Sequence, residues 1–227
     1  MRNENLAKLQ EAVRRVAHAG GAEWLAAALI SVREDAAQLA VCNAMARRKL
    51  GDAKLGANAP DLESAAGPVR MAVWEAGDAG RVALCLAACA ASSDDAHDTL
   101  RDAFRVGDER ERAAIVRGLA LFPGAPALKP LALEAGRANS LVLFSALALD
   151  NPYPAAYYAT QELNQMVLKA LFHRLPIDRI RGLKRRAGPE LARMCTDYIG
   201  ELQAAGREVP SDAWRALDLG APVPSSR

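Results

Sequence analysis

From residue 1 to residue 149 the apolar side chains recur at helical spacing, in short segments that Gly and Pro cut apart, and that pattern leaves almost no room for a sheet. Leu6, Leu9, Val13 and Val16 form a first stripe, ended by Gly20-Gly21. Trp24, Leu25, Ala28 and Leu29 form a second; a third helix runs from about Arg33 to Leu50. Its closing Arg47-Arg48-Lys49 complements the dipole of a helix C-terminus. Residues 51 to 66 read as a loop, and Pro68 then opens a helix through Val69, Ala72, Val73 and Trp74. Gly77 and Gly80 break that helix, and Arg81 to Ala91, apolar almost all round, forms a central one. Ser92-Ser93-Asp94-Asp95 caps a helix that ends at Gly107. Further stripes follow from Asp108 to Leu121, Leu128 to Ala135 and Asn139 to Leu149.

Composition agrees. Apolar residues make up 51% of the chain and aromatics 5%, so the core is built mainly from Ala, Leu and Val, and the first two are the best helix formers. No period-two alternation and no Asn-Gly hairpin signal occurs. The predicted fold is all-α with no sheet: an irregular, HEAT- or armadillo-like α-solenoid over 1–149, with about nine or ten helices. A C-terminal helical cap over 150–219 continues it, and 220–227 reads as a disordered tail. Acids and bases are interspersed and the formal charge is +2, which excludes a strongly electrostatic, whole-protein association with nucleic acid. The start of the chain lacks a signal-type apolar core, and no apolar run reaches the roughly 18 residues of a bilayer span. These features predict a soluble, cytoplasmic protein with Cys42, Cys85, Cys89 and Cys195 as reduced thiols.

Metal and cofactor signatures are absent. Cys85 and Cys89 share a face at i,i+4 but lack a companion pair, and Asp94, Asp95, His97 and Asp98 do not share a face, so no metal and no cofactor is expected. Phosphate-loop, dinucleotide and zinc-protease patterns do not occur, and no catalytic residue is assigned.

The character changes at Asn151-Pro152-Tyr153-Pro154. Each proline disfavours helix at the preceding residue, so an extended, rigid segment carrying Tyr153 is predicted there. Thr160 then caps a helix whose apolar side is Leu163, Met166, Val167, Ala170 and Leu171 and whose polar stripe is Gln165, Lys169 and His173. Asn164 sits beside that stripe, towards the apolar side, and a half-buried amide needs a partner. Either Asn164 and Gln165 satisfy backbone groups freed by the prolines, or they face a ligand. From Lys169 to Arg186 there are seven Lys/Arg and one acid, Asp178. That run reads as a solvated basic face or as a surface for an anion or an anionic membrane, with Arg179, Lys184, Arg185 and Arg186 as its candidates.

These residues resemble the EboA family. The resemblance rests on Gly136-Arg137-Ala138-Asn139-Ser140, Asn151-Pro152-Tyr153-Pro154-Ala155, the run Asn164-Gln165-Met166-Val167-Leu168-Lys169-Ala170-Leu171-Phe172 and Glu190-Leu191-Ala192-Arg193-Met194. Asp197-Tyr198 and Ala204-Ala205-Gly206-Arg207 match in part; together the motifs span about 134–217. The chain departs from the family pattern at Leu163, where the family has Trp, and over Gly200-Glu201-Leu202-Gln203, which lacks a His and a Trp. The resemblance implies a gene cluster that makes or exports secondary metabolites, of isoprenoid or indole type. The implied partners are the other proteins of that cluster, including a prenyltransferase-like membrane protein, and a small metabolite. No reaction comes with it.

Two readings follow. In the first, the chain is a non-catalytic helical adaptor or binding protein whose ligand or partner surface includes Arg137, Asn139, Asn151, Tyr153, Asn164, Gln165 and Lys169. Arg137 and Asn139 join because Gly136 breaks a helix and puts them at the start of the next. In the second, it is an enzyme acting on an anionic or isoprenoid metabolite, with Tyr153 or His173 as proton donor and Lys169 with the Arg179–Arg186 cluster holding the anion. Docking of the basic run on a membrane surface is a third possibility.

Overall fold

The computed structural model describes residues 2–91 and 96–221, and every regular element in them is helical. The chain divides into two compact units, Met1–Leu147 and Ala148–Arg227.

In the first unit, α1 (Arg2–Val16), α2 (Gly21–Glu34) and α3 (Gln38–Leu50) are followed by an irregular stretch, and then by α4 (Ala76–Ala91). Every residue of α4 from Ala76 through Cys89 is buried, and the helix packs against α1, α2, α3, α5 (Ala96–Val106) and α6 (Glu109–Gly118). A solenoid helix touches chiefly its neighbours in sequence. Here one helix is ringed by five, and the solenoid arrangement itself is not established. Two 3-10 turns, α7 (Lys129–Arg137) and α8 (Leu141–Ala148) complete the sequence of elements.

Gly77 and Gly80 do not break a helix; they sit inside α4. A Cβ on Gly80 would lie 2.1 Å from Leu50 Cδ1, and one on Gly77 would lie 3.2 Å from Arg47 Cα. The glycines let α3 and α4 approach backbone to backbone, which offsets their poor helix propensity. The helix predicted from Pro68 is also absent. Residues 51 to 75 run without regular structure, held by isolated antiparallel bridges between Lys54 and Glu75 and between Leu62 and Val69. The carboxamide of Asn5 mimics a strand against this stretch: its Nδ2 donates to Glu63 O at 2.7 Å and its Oδ1 accepts from Glu63 N at 2.9 Å. The third helix begins at Gln38 rather than near Arg33, and Gly136 lies within α7, so Arg137 ends that helix instead of starting another. The predicted Ser92–Asp95 cap and most of the predicted tail lie outside the described residues.

The two charged side chains buried in α4 are held by polar partners, as burial requires. Asp78 accepts from Glu75 N at 3.2 Å and faces Arg117 at 3.3 Å. Arg81, 3% exposed, donates from Nε to Asn43 O at 3.1 Å.

The second unit contains α9 (Tyr153–Tyr157), α10 (Thr160–Phe172), a 3-10 turn over Ile177–Arg179, α11 (Leu183–Arg186), α12 (Pro189–Ala204) and α13 (Ser211–Gly220). Leu191, Cys195 and Ile199 give α12 its buried face, and Ala213, Ala216 and Gly220 give α13 a small-residue face; the two helices pack together.

Candidate functional site

The Asn-Pro-Tyr-Pro motif is a helix start, not an extended strap. Pro152 has φ −76° and ψ −13°, and α9 begins at Tyr153 with Pro154 in its first turn. First-turn amides have no intrahelical acceptor, so proline loses nothing there. Asn151 supplies the missing partner: its Oδ1 accepts from Tyr153 N at 3.0 Å. The predicted extended segment fails because helix-stopping and helix-starting prolines look alike in a sequence. Similarly, Thr160 does not cap α10. The cap is Ala159, whose N–H donates to Glu162 Oε2 at 2.7 Å, while Thr160 is already helical.

The far end of α9 is held by the basic run. Arg186 donates from Nη1 to Ala155 O and from Nη2 to Tyr158 O at 2.8 Å, so its guanidinium serves carbonyls that a five-residue helix leaves open. Arg179 donates from Nε to Asp150 Oδ2 at 2.9 Å, and Asp150 N donates back to Arg179 O at 2.8 Å. This two-way link holds Asp150 at φ 57°, a left-handed conformation that Asp tolerates better than most residues. Of the four basic candidates, Arg179 and Arg186 therefore have structural partners, whereas Lys184 and Arg185 are exposed.

The candidate ligand residues separate clearly. Arg137 and Asn139 belong to the first unit and are exposed. In the second unit Asn151 is 4% exposed, Tyr153 0% and Asn164 2%, whereas Gln165 is exposed and Lys169 half-buried. Tyr153 stacks at a tilt on Tyr157, with ring centroids 4.8 Å apart, and burial pushes its phenol pKa up. A proton donor working near neutral pH needs the opposite shift. Desolvation lowers the pKa of Lys169. His173 meets Phe172 edge to face at 5.3 Å.

Asn164 stands out. Asn151 and Arg186 already satisfy the backbone groups around the proline motif, and the buried Nδ2 of Asn164 has no hydrogen-bond partner among the described residues. Its helix neighbours Leu163, Val167 and Leu171 are all buried and apolar. Leu171 lies seven residues on, about 10 Å along the same face of α10. With Arg174, Leu175, Glu208, Pro210 and Asp212 it lines a cavity of ≈ 250 Å³. That cavity was not legible in the sequence, because it forms between the end of α10 and the segment leading into α13.

Among the described residues no three His, Cys, Asp or Glu side chains group together. His97 is tied by Nε2 to Pro123 O at 2.9 Å. Cys85 and Cys89 are buried thiols, and desolvation pushes Cys89 up to about 12. No helix among the described residues is long and apolar enough to cross a membrane. Gly200 is exposed, with open space around its missing Cβ.

These features define an all-helical protein whose proline motif and basic run are largely spent on holding α9, with the buried Nδ2 of Asn164 in α10 left without a partner among the described residues. Its sequence matches the family model described as metabolite traffic protein EboA over residues 5–218, and the chain belongs to that family. No curated protein and no solved structure matches it.

Proposed function

We propose that this chain is a non-catalytic binding protein in metabolite traffic, taking an uncharged, largely apolar cargo that offers a hydrogen-bond acceptor to Asn164. The observation that carries this reading is the unpartnered Nδ2 of Asn164 on the buried face of α10. Leaving a buried donor unpaired costs about 1–3 kcal/mol, a cost that a cargo carbonyl or hydroxyl oxygen would remove. The part of the cargo that meets Asn164 is uncharged because, among the described residues of the second unit, the buried polar side chains are Asn151, Asn164 and the tyrosines Tyr153 and Tyr158, all neutral. An anion placed among them would lack the counter-charge that burial demands. The family description supports a role in traffic. On this reading the chain hands its cargo to proteins encoded beside it in a secondary-metabolite export pathway, the prenyltransferase-like membrane protein among them.

The enzyme reading is weaker, since its phenolic candidate is fully buried and its pKa moves the wrong way. The test is solvent extraction and mass spectrometry of protein purified from its native host. Wild type is expected to release a neutral small molecule that is missing from Asn164→Leu. Equal yields from both proteins would reject Asn164 as the reader.

A further inference from the structure

The seven cations between Lys169 and Arg186 fall into two groups. Arg179 is paired with Asp150, Arg186 with the carbonyls of Ala155 and Tyr158, and Arg174 faces Glu208 at 3.6 Å. Lys169 is half-buried in α10. Arg181, Lys184 and Arg185 have no acid within ion-pair distance among the described residues, and the one acid of the run, Asp178, does not pair with them.

These three cations sit on a fixed turn. Gly182 takes φ 73°, and a Cβ there would come within 2.6 Å of Ala155 Cβ, so the turn is pressed onto α9. At its other end Arg186 bonds the same short helix. Lys184 and Arg185 lie between those two anchors and are exposed, while Leu183 beside them is 3% exposed and faces inward. The apolar residue and Arg186 fasten the turn; Lys184 and Arg185 are presented outward, with Arg181 half-exposed before them, and the turn has little backbone freedom to lose on contact.

We infer that α11 and the turn before it form a docking face for an anionic lipid surface, made by Arg181, Lys184 and Arg185. A membrane suits this geometry better than a free phosphate or nucleotide. Small anions are held by donors converging from several elements, whereas these cations come from one turn, Lys184 and Arg185 exposed and Arg181 half-exposed, and the two arginines that could converge with them are occupied. The inference does not rest on the cargo site. Each cation near an anionic surface is worth about fivefold in partitioning, so three give on the order of a hundredfold. That is a weak and reversible attachment.

The experiment is sedimentation of the full chain with vesicles of phosphatidylglycerol mixed equally with phosphatidylcholine, beside vesicles of phosphatidylcholine alone. Wild type is expected to bind the anionic vesicles, and to lose binding as salt shortens the screening length from about 10 Å at 0.1 M to about 3 Å at 1 M. Lys184→Gln/Arg185→Gln should bind roughly 25-fold less, with an unchanged melting curve because both side chains are exposed. Arg33→Gln/Arg48→Gln, two exposed cations of the first unit, should bind like wild type. Equal binding to both vesicle types, no binding by wild type at low salt, or equal losses in the two double variants would each overturn the proposal.

Discussion

Arg186 shows how a residue can look like a ligand and be a fastener. In the sequence it is one more cation in a basic run; in the fold it closes the carbonyl end of α9. Arg186→Ala is expected to cost about 2 kcal/mol, two charge-assisted bonds discounted for partial exposure, measurable as a lower urea midpoint. Arg186→Lys should recover less than half, since an ammonium cannot span two carbonyls as the planar fork does. Asn164 is the contrasting case. Its position on the boundary of the apolar face of α10 was legible from helical spacing, and so was its need for a partner. What its amide meets was not, because that depended on Asn151 and Arg186 having already satisfied the neighbouring backbone. No spacing rule reports what a distant guanidinium is bonded to.

The helices themselves were legible, but their punctuation was less so. The stripes of α1 and α2 and the closing cations of α3 were read from period and dipole alone. Gly77, Gly80 and the Asn151–Pro154 motif were misread for a shared reason: a residue that weakens a helix interior also serves where a helix starts or is closely approached. Gly80→Ala provides the test. Alanine should gain about 1 kcal/mol in helix propensity, yet its Cβ would fall 2.1 Å from Leu50 Cδ1. The expected net result is a loss of about 1–3 kcal/mol from overpacking. Combining it with Leu50→Ala should be less destabilising than the sum of the two single changes, because both act on one contact. Additive losses in urea unfolding would mean that the glycine serves some other purpose.

Across the whole molecule, the all-helical class followed from composition and period, and family membership from motifs that the match over residues 5–218 extends into the first unit. Long-range packing was not available from either, and the ring of five helices around α4 is seen only in the fold. The burial of thiols in both units makes a prediction about pH. Desolvation pushes Cys89 up to about 12 and Cys195 up to about 11, from an ordinary 9.0, and pushes Cys85 up as well. Folded thiols therefore keep their protons where unfolded ones lose them. Stability from this source is complete below about pH 9 and declines as pH rises towards 12. Urea midpoints should fall over that window, and Cys89→Ala should flatten the fall. On the proposed function Asn164 is kept at a structural cost for the sake of a cargo, which the melting temperature of cargo-stripped wild type against Asn164→Leu, with cargo retention measured in parallel, puts to the test. Leucine keeps the branching and removes the unpaired donor, so the variant should melt about 2 °C or more higher while retaining no cargo. A variant that melts lower than stripped wild type, or that keeps its cargo, would contradict the account.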